Sequence, residues 1–412
     1  MEPGLTTALG TLAVLERLAW VPQRDASAAL PTPGDVQFDL DPFIAPPVLL
    51  DGAPVRFGPI HTVFATAQLA SAPTRDDQLV FQDALATIEQ AYPWRPDGVF
   101  THVAYGLPYF WKLPPGLFAL HVPRLMRSTG QFVLEEAVPG PTDVHPGNPQ
   151  VRKVRFHVPL RIERNDLLIT LRGDDPARLA DVLGWLGGSD ALAGRRVASP
   201  RLRAGLSFTT SRAMFVQMGL PRKLAAAHRL PFAEQLHPRS PEWLDGLWMD
   251  SPEVGAEAVT FAGSADAQGA DLTTARPGDY FDHGAIQHLS HDILDLQQFY
   301  SSDEPADGGE TFAERVRCAF RSPPSDHLYA GTARRPMHRR VQGPGFDAMD
   351  VPGGSHEPKL QFSIFVPMSE LCAAGRAREA ELDLRCRTVT RRQNFLVPPR
   401  RHRAFPLVEF VR

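Results

Sequence analysis

Apolar runs along this chain are short and are separated by proline and glycine, so the pattern predicts many brief elements and no long helices. His61–Ala70 has the pattern of a buried strand. Thr74-Arg-Asp-Asp then caps a helix running from Gln78 to about Tyr92, whose apolar residues recur at helical spacing. Val99–Tyr105 predicts a second strand and Leu107–Trp111 a short turn of helix. Asn165–Leu171 is the clearest strand, and Asp175–Trp185 a helix with proline in its first turn. Strand-helix-strand followed by strand-helix is the order of a split βαβ layer.

The second half begins to repeat this order. It predicts a strand at Arg203–Thr209, a loop-rich stretch over about 220–280, helices at Ser290–Tyr300 and Thr311–Phe320, a strand at Lys359–Val366 and a helix from Ser369 to about Ala380. From Thr388 onward the chain reads as a basic tail folded over the second half. The expected fold is α+β with two tandem ferredoxin-like domains, 55–200 and 201–412, preceded by an extended arm over 1–54.

Composition narrows the function classes. The 43 Lys+Arg against 47 Asp+Glu give a formal charge of -4, which supplies no footprint for nucleic acid or an acidic membrane. A small molecule is the expected partner, and a homo-oligomer stays open. Three cysteines, Cys318, Cys372 and Cys386, form no CxxC pair, which fits a reducing compartment. With no leader-like start and no apolar run of membrane-spanning length, the expectation is a soluble cytoplasmic protein.

The most chemically dense stretch is Gly278–Tyr300, GDYFDHGAIQHLSHDILDLQQFY, with His283, His288 and His291 beside Asp279 and Asp282. Histidines and acids so close together are common in sites for metals, propionates or phosphates. One reading is a zinc or non-haem iron site, although the spacing lacks the i, i+4 pair that helical zinc sites use. The plain alternative is hydrogen bonding around a cofactor held elsewhere, with His288 the histidine expected to touch it. The aromatic residues, Trp94, Trp111, Trp185, Trp243 and Trp248 with Tyr105, Tyr109 and Tyr300, are read as core and given no role.

Three segments taken in order, Pro93–Phe110, Asn165–Arg172 and Gly278–Tyr300, resemble the dye-decolorizing (DyP-type) haem peroxidase superfamily in a divergent branch. The resemblance implies two ferredoxin-like domains, with haem b bound in the second through a histidine. It also implies oxidation of a small organic molecule with hydrogen peroxide, in which a specialised metabolic role fits as well as dye oxidation. The family's ligand lies ahead of an Arg-Arg pair leading into an aromatic strand. Here that order assigns His327 as axial ligand, followed by Arg339-Arg340 and Leu360–Phe365, with His338 and then His288 as substitutes.

Arg339 or Arg340 would stabilise charge developing on peroxide. The family's G-x-x-D-G signature is missing, and its nearest counterparts place the acid-base role on Asp250, Asp245 or Asp266. That departure leaves two alternatives open: a haem-binding protein without turnover, acting as sensor or carrier, and the non-haem metalloenzyme built on the three histidines.

Overall fold

The computed structural model describes residues 2–17, 32–43, 48–50, 53–55, 58–139, 158–215, 260–266, 268–294, 339–345, 347, 349–350, 359–372 and 387–411. In the first half these form β1 (His61–Leu69), α2 (Arg75–Ala91), β2 (Phe100–Tyr105), β3 (Leu167–Gly173), α5 (Pro176–Leu186) and β4 (Leu206–Phe215). An N-terminal α1 (Thr6–Glu16) precedes them, and the short α3 (Leu107–Lys112) and α4 (Pro115–His121) follow β2. The second half contributes β5 (Ala285–Leu294), β6 (Arg339–Gly345), β7 (Lys359–Val366) and β8 (Arg387–Val397).

These strands form one mixed sheet in the order β4-β1-β3-β2-β8-β5-β7-β6. Every neighbour in that path is antiparallel, and a two-residue strand at Arg161–Ile162 adds in parallel to β8. In the first half strand 3 separates strands 1 and 2, the order a split βαβ unit produces. The second half repeats the same strand order, fourth-first-third-second. The fold is therefore α+β, as the sequence implied. Among the described residues no helix is long and apolar enough to cross a membrane.

The sheet curls so that its two ends meet. A Cβ placed on Gly345 of β6 would stand 2.9 Å from the Ala213 carbonyl of β4, so only glycine lets the strand ends approach this closely. Outside the curl, Val63, Ala65, Leu167, Ile169 and Leu171 pack against Phe81, Leu85 and Ile88 of α2 and Leu179, Val182 and Leu183 of α5. Inside it, Phe64, Leu168 and Met214 of the first half meet Leu289, Phe365 and Phe395 of the second, with Phe38 of the N-terminal arm inserted among them. β3 is apolar in both phases over Leu167–Ile169, and β7 carries Leu360, Phe362, Ile364 and Val366 in one phase, which is why these strands were legible.

Two assignments change. Residues 285–294 are a strand where the sequence predicts a helix from Ser290, and 387–397 are a central strand where it predicts a tail. Both carry buried polar side chains whose partners lie on neighbouring strands, so cross-strand pairing decides their conformation over local pattern. The strand expected at 203–209 lies at 206–215. The helix expected at 311–320 lies outside the described residues.

The start of α2 shows its predicted cap. Thr74 Oγ1 accepts from the Asp77 N–H at 3.2 Å, and Asp77 Oδ2 accepts from the Thr74 N–H at 2.9 Å. Asp77 also accepts from the Arg203 and Ala204 N–H groups, so it ties α2 to the approach to β4. Thr74→Ala will lower stability by about 1 kcal/mol. Asp77→Ala will cost more, about 2 kcal/mol, because three buried or half-buried backbone donors lose their acceptor. Urea melts of the two variants rank them, and an equal cost would show that Asp77 serves the cap alone.

Candidate functional site

The predicted site residues fall into three groups. His327, His338, Asp245 and Asp250 lie outside the described residues. Arg339 and Arg340 open β6, with backbones paired to Phe365 and Ile364 of β7. Asp266 sits in a turn, where its Oδ1 accepts from the Gln268 and Ala270 N–H groups at 2.9 Å each. That carboxylate holds a loop.

The three histidines do not form one ligand set. His283 precedes β5 and is half exposed, with Nδ1 2.8 Å from Asp282 Oδ1. His288 and His291 stand an odd number of residues apart on β5, and strand pleating sends them to opposite faces of the sheet. The acid-histidine group that does converge among the described residues is Asp35, Asp282 and His283. Arg401 already pairs with both of its carboxylates.

His288 belongs to the outer face. Pairing across four strands sets Arg340 of β6, Ile364 of β7, His288 of β5 and Asn394 of β8 in one register row. His288 is 4% exposed, and its Nδ1 lies 2.7 Å from Asn394 Oδ1. Asn394 Nδ2 donates at 2.9 Å to the Glu135 carbonyl, on a segment that crosses this face. Arg392, two residues earlier on β8, donates to the Ala137 and Val138 carbonyls of the same segment. Ile286, Phe362, Ile364 and Leu396 make the surroundings apolar.

His291 belongs to the inside of the curl, in a chain of buried charges. Its Nε2 lies 3.0 Å from Asp347 Oδ1, and its Nδ1 lies 2.7 Å from Thr390 Oγ1 and 3.7 Å from Asp350 Oδ2. Asp347 also accepts from Gln361 Nε2 at 3.1 Å and the Met349 N–H at 3.0 Å. Arg391 grips Asp350 through Nε and Nη2 at 2.5 and 2.8 Å and approaches Glu163 at 3.5 Å; Glu163 in turn pairs with the fully buried Arg212 of β4. Burial by itself would raise the Asp347 carboxyl, but the His291 ring and the Lys359 charge outweigh it and hold it at about 2. This chain ties the two strand sets together across the interior.

Solved structures similar to this chain are dye-decolorizing peroxidases. The DypB peroxidase of Rhodococcus jostii RHA1 matches at 14% identity with a TM-score of 0.46, over 84% of this chain and 96% of that one. A variant of it in complex with haem matches at 13% identity with the same score, again over 84% and 96%. The dye-decolorizing peroxidase of Bacteroides thetaiotaomicron matches at 12% identity with a TM-score of 0.42, over 83% and 94%. No family model matches the sequence, and no curated protein matches it.

Sequence reasoning missed Asn394, Asp347, Asp350, Glu163 and Arg212. The signal for Asn394 was present in Gln393-Asn-Phe-Leu-Val, a polar-to-apolar run suited to a strand that starts in a site and ends in a core. Asp347 and Asp350 sit in a glycine- and proline-rich stretch that no local pattern separates from a surface turn. Tyr105 and Tyr109 are core residues as read, with hydroxyls donating to the Arg403 and Pro406 carbonyls.

Proposed function

We propose that this chain is a haem-dependent oxidoreductase of the peroxidase kind, binding haem b against the outer face of residues 201–412 and oxidising a small organic molecule with hydrogen peroxide. The observation that carries the reading is the register row that holds His288, fixed by Asn394, in line with Arg340. On that face Phe362, Ile364, Ile286 and Leu396 are apolar and His288 and Asn394 are polar, all of them buried. In this reading His327 would hold the haem iron, Arg339 or Arg340 would supply positive charge for peroxide, and Asp250 would be a further proton-handling group. Bound haem would supply an iron that takes peroxide as a ligand and accepts electrons from the organic substrate. The chain's own residues would hold the peroxide, exclude water and move its protons.

The test is the visible spectrum of protein expressed with a haem precursor, beside a His327→Ala variant. A Soret band in the wild type that shifts or disappears in the variant is the expected result. Absence of any Soret band, with no porphyrin extracted, overturns the reading.

A further inference from the structure

We infer that the cavity between α2 and the C-terminal segment is a binding site for an organic oxyanion, a carboxylate or a phosphate ester, held by Arg400 and Arg403. The inference is independent of the haem reading.

The cavity measures about 660 Å³, a size suited to a small molecule, and lies between residues 33–35 of the arm, one face of α2 and residues 400–409. Helical spacing sets the α2 face, on which Gln82, Ala86 and Glu89 follow one another at four and three residues. Opposite them runs Arg400-Arg401-His402-Arg403, which begins in a single 3-10 turn. Its backbone is pinned to the arm: the Arg400 N–H donates to the Asp35 carbonyl at 2.6 Å and the Arg401 N–H to Asp35 Oδ1 at 2.9 Å.

Arg400 Nη2 and Arg403 Nη1 donate to the same oxygen, Glu89 Oε1, at 2.6 Å each. Two guanidiniums therefore share one carboxylate, and one positive charge is left over. Burial, and then the Arg403 charge beside it, pull the Arg400 guanidinium below its ordinary range. Its Cζ lies 4.9 Å from the Trp94 ring centroid, which fixes its plane. Arg400 and Arg403 are only 17% and 12% exposed, and both line the cavity, so a ligand there meets them with little competition from bulk water.

The other charges on the wall are matched. Arg401 pairs with Asp35 and Asp282. Glu409 accepts from Gln78 Nε2 at 2.9 Å and from the Tyr280 hydroxyl at 2.7 Å, and Arg75 donates to Gln78 Oε1. Gln78 stands eleven residues before Glu89 on α2, roughly 16 Å along the helix, so Glu409 and the Arg400–Arg403 pair serve opposite ends of the cavity. His402 stacks on Tyr280, and burial followed by the Arg401 charge lowers its pKa, so it is neutral near pH 7. An oxyanion on Arg400 and Arg403 supplies the negative charge that Glu89 alone leaves short, through the paired, charge-assisted hydrogen bonds a planar guanidinium forms.

The test is calorimetric titration of the full-length chain with phenyl phosphate and with benzoate, at constant ionic strength set with chloride. At least one should bind at one site per chain with a Kd below about 1 mM, and the tighter of the two names the ligand class. Arg403→Gln, which keeps a donor for Glu89 and removes the extra charge, should weaken binding about tenfold. Gln82→Glu, at an exposed position where the fold is not at risk, should weaken it about fivefold. Glu89→Gln, which releases both guanidiniums, should tighten it about fivefold. Urea melts confirm that each variant is folded.

Tighter binding in Glu89→Gln is the discriminating result, because a clamp that only braces the C-terminal segment would lose stability there and gain no affinity. Failure of both probes to bind below about 10 mM overturns the inference and leaves Arg400 and Arg403 as a brace for Glu89. Binding that all three variants leave unchanged lies elsewhere on the protein and overturns it as well.

Discussion

Asp347→Ala will destabilise the protein by about 3–5 kcal/mol, the loss expected when one partner of a buried charge pair is removed. Asp347 is buried, and it accepts from Gln361 and the Met349 N–H while facing His291 Nε2 at 3.0 Å. Its removal leaves His291 and Gln361 without that acceptor and takes the carboxylate charge away from the neighbouring Lys359. Asp347→Asn keeps the shape and one acceptor and will cost less.

The pH dependence has a definite sign. Asp347 is held at about 2, below its ordinary 3.8, so its contribution is fully present above about pH 4 and is lost as pH falls toward 2. Urea melts between pH 7 and pH 2.5 should therefore show the gap between wild type and Asp347→Ala narrowing in the acid range. A gap below about 1 kcal/mol at neutral pH, or one that ignores pH, would show that the carboxylate is not paired as described.

Phe365→Ala will cost about 3–5 kcal/mol, by the opposite physics. Phe365 faces the inside of the curl from β7 and stacks on Phe38 with centroids 4.4 Å apart and planes at 13°. Leu289 and Phe395 from the same half and Phe64, Leu168 and Met214 from the other complete the cluster. Its loss leaves a cavity that two closed strand sets cannot collapse around, and the melting temperature should drop by roughly 5 °C. Phe365→Leu, nearer in volume, should cost less than about 1.5 kcal/mol. Leu120, 76% exposed on α4, is the comparison: Leu120→Ala should stay within about 0.5 kcal/mol. A Phe365→Ala variant as stable as Leu120→Ala would mean that the interior is not packed between the halves.

These two variants separate the interior into an apolar part and a charged part, and the sequence reveals them unequally. The apolar part was legible. His61–Leu69, Leu167–Gly173 and Lys359–Val366 each carry a run of apolar residues in at least one strand phase, and α2 and α5 announce themselves through Thr74, Asp77 and Asp175. The charged part was not legible. His291 meets Thr390 across 99 residues of chain, His288 meets Asn394 across 106, and Arg212 meets Glu163 across 49. Local pattern gives a polar run such as Gln287-His-Leu-Ser-His-Asp no reason to be a buried strand, since burial is tolerable only once those distant partners arrive.

The histidine cluster shows the same limit from the chemical side. Three histidines within nine residues read as one possible ligand set, yet the period of two along β5 divides His288 from His291. Which face each one took depended on β5 being a strand, and that depended on β7 and β8 pairing with it.

What the sequence by itself determined is the alternation of buried strands and capped helices in the first half, because hydrophobic period and capping are properties of neighbours in the chain. What only the tertiary structure decided is that residues 285–294 and 387–397 lie side by side in the centre of the sheet, giving His288 its Asn394 and His291 its Thr390. Hydrogen bonds and charges are satisfied by proximity in space, and that proximity exists only after the strands have paired.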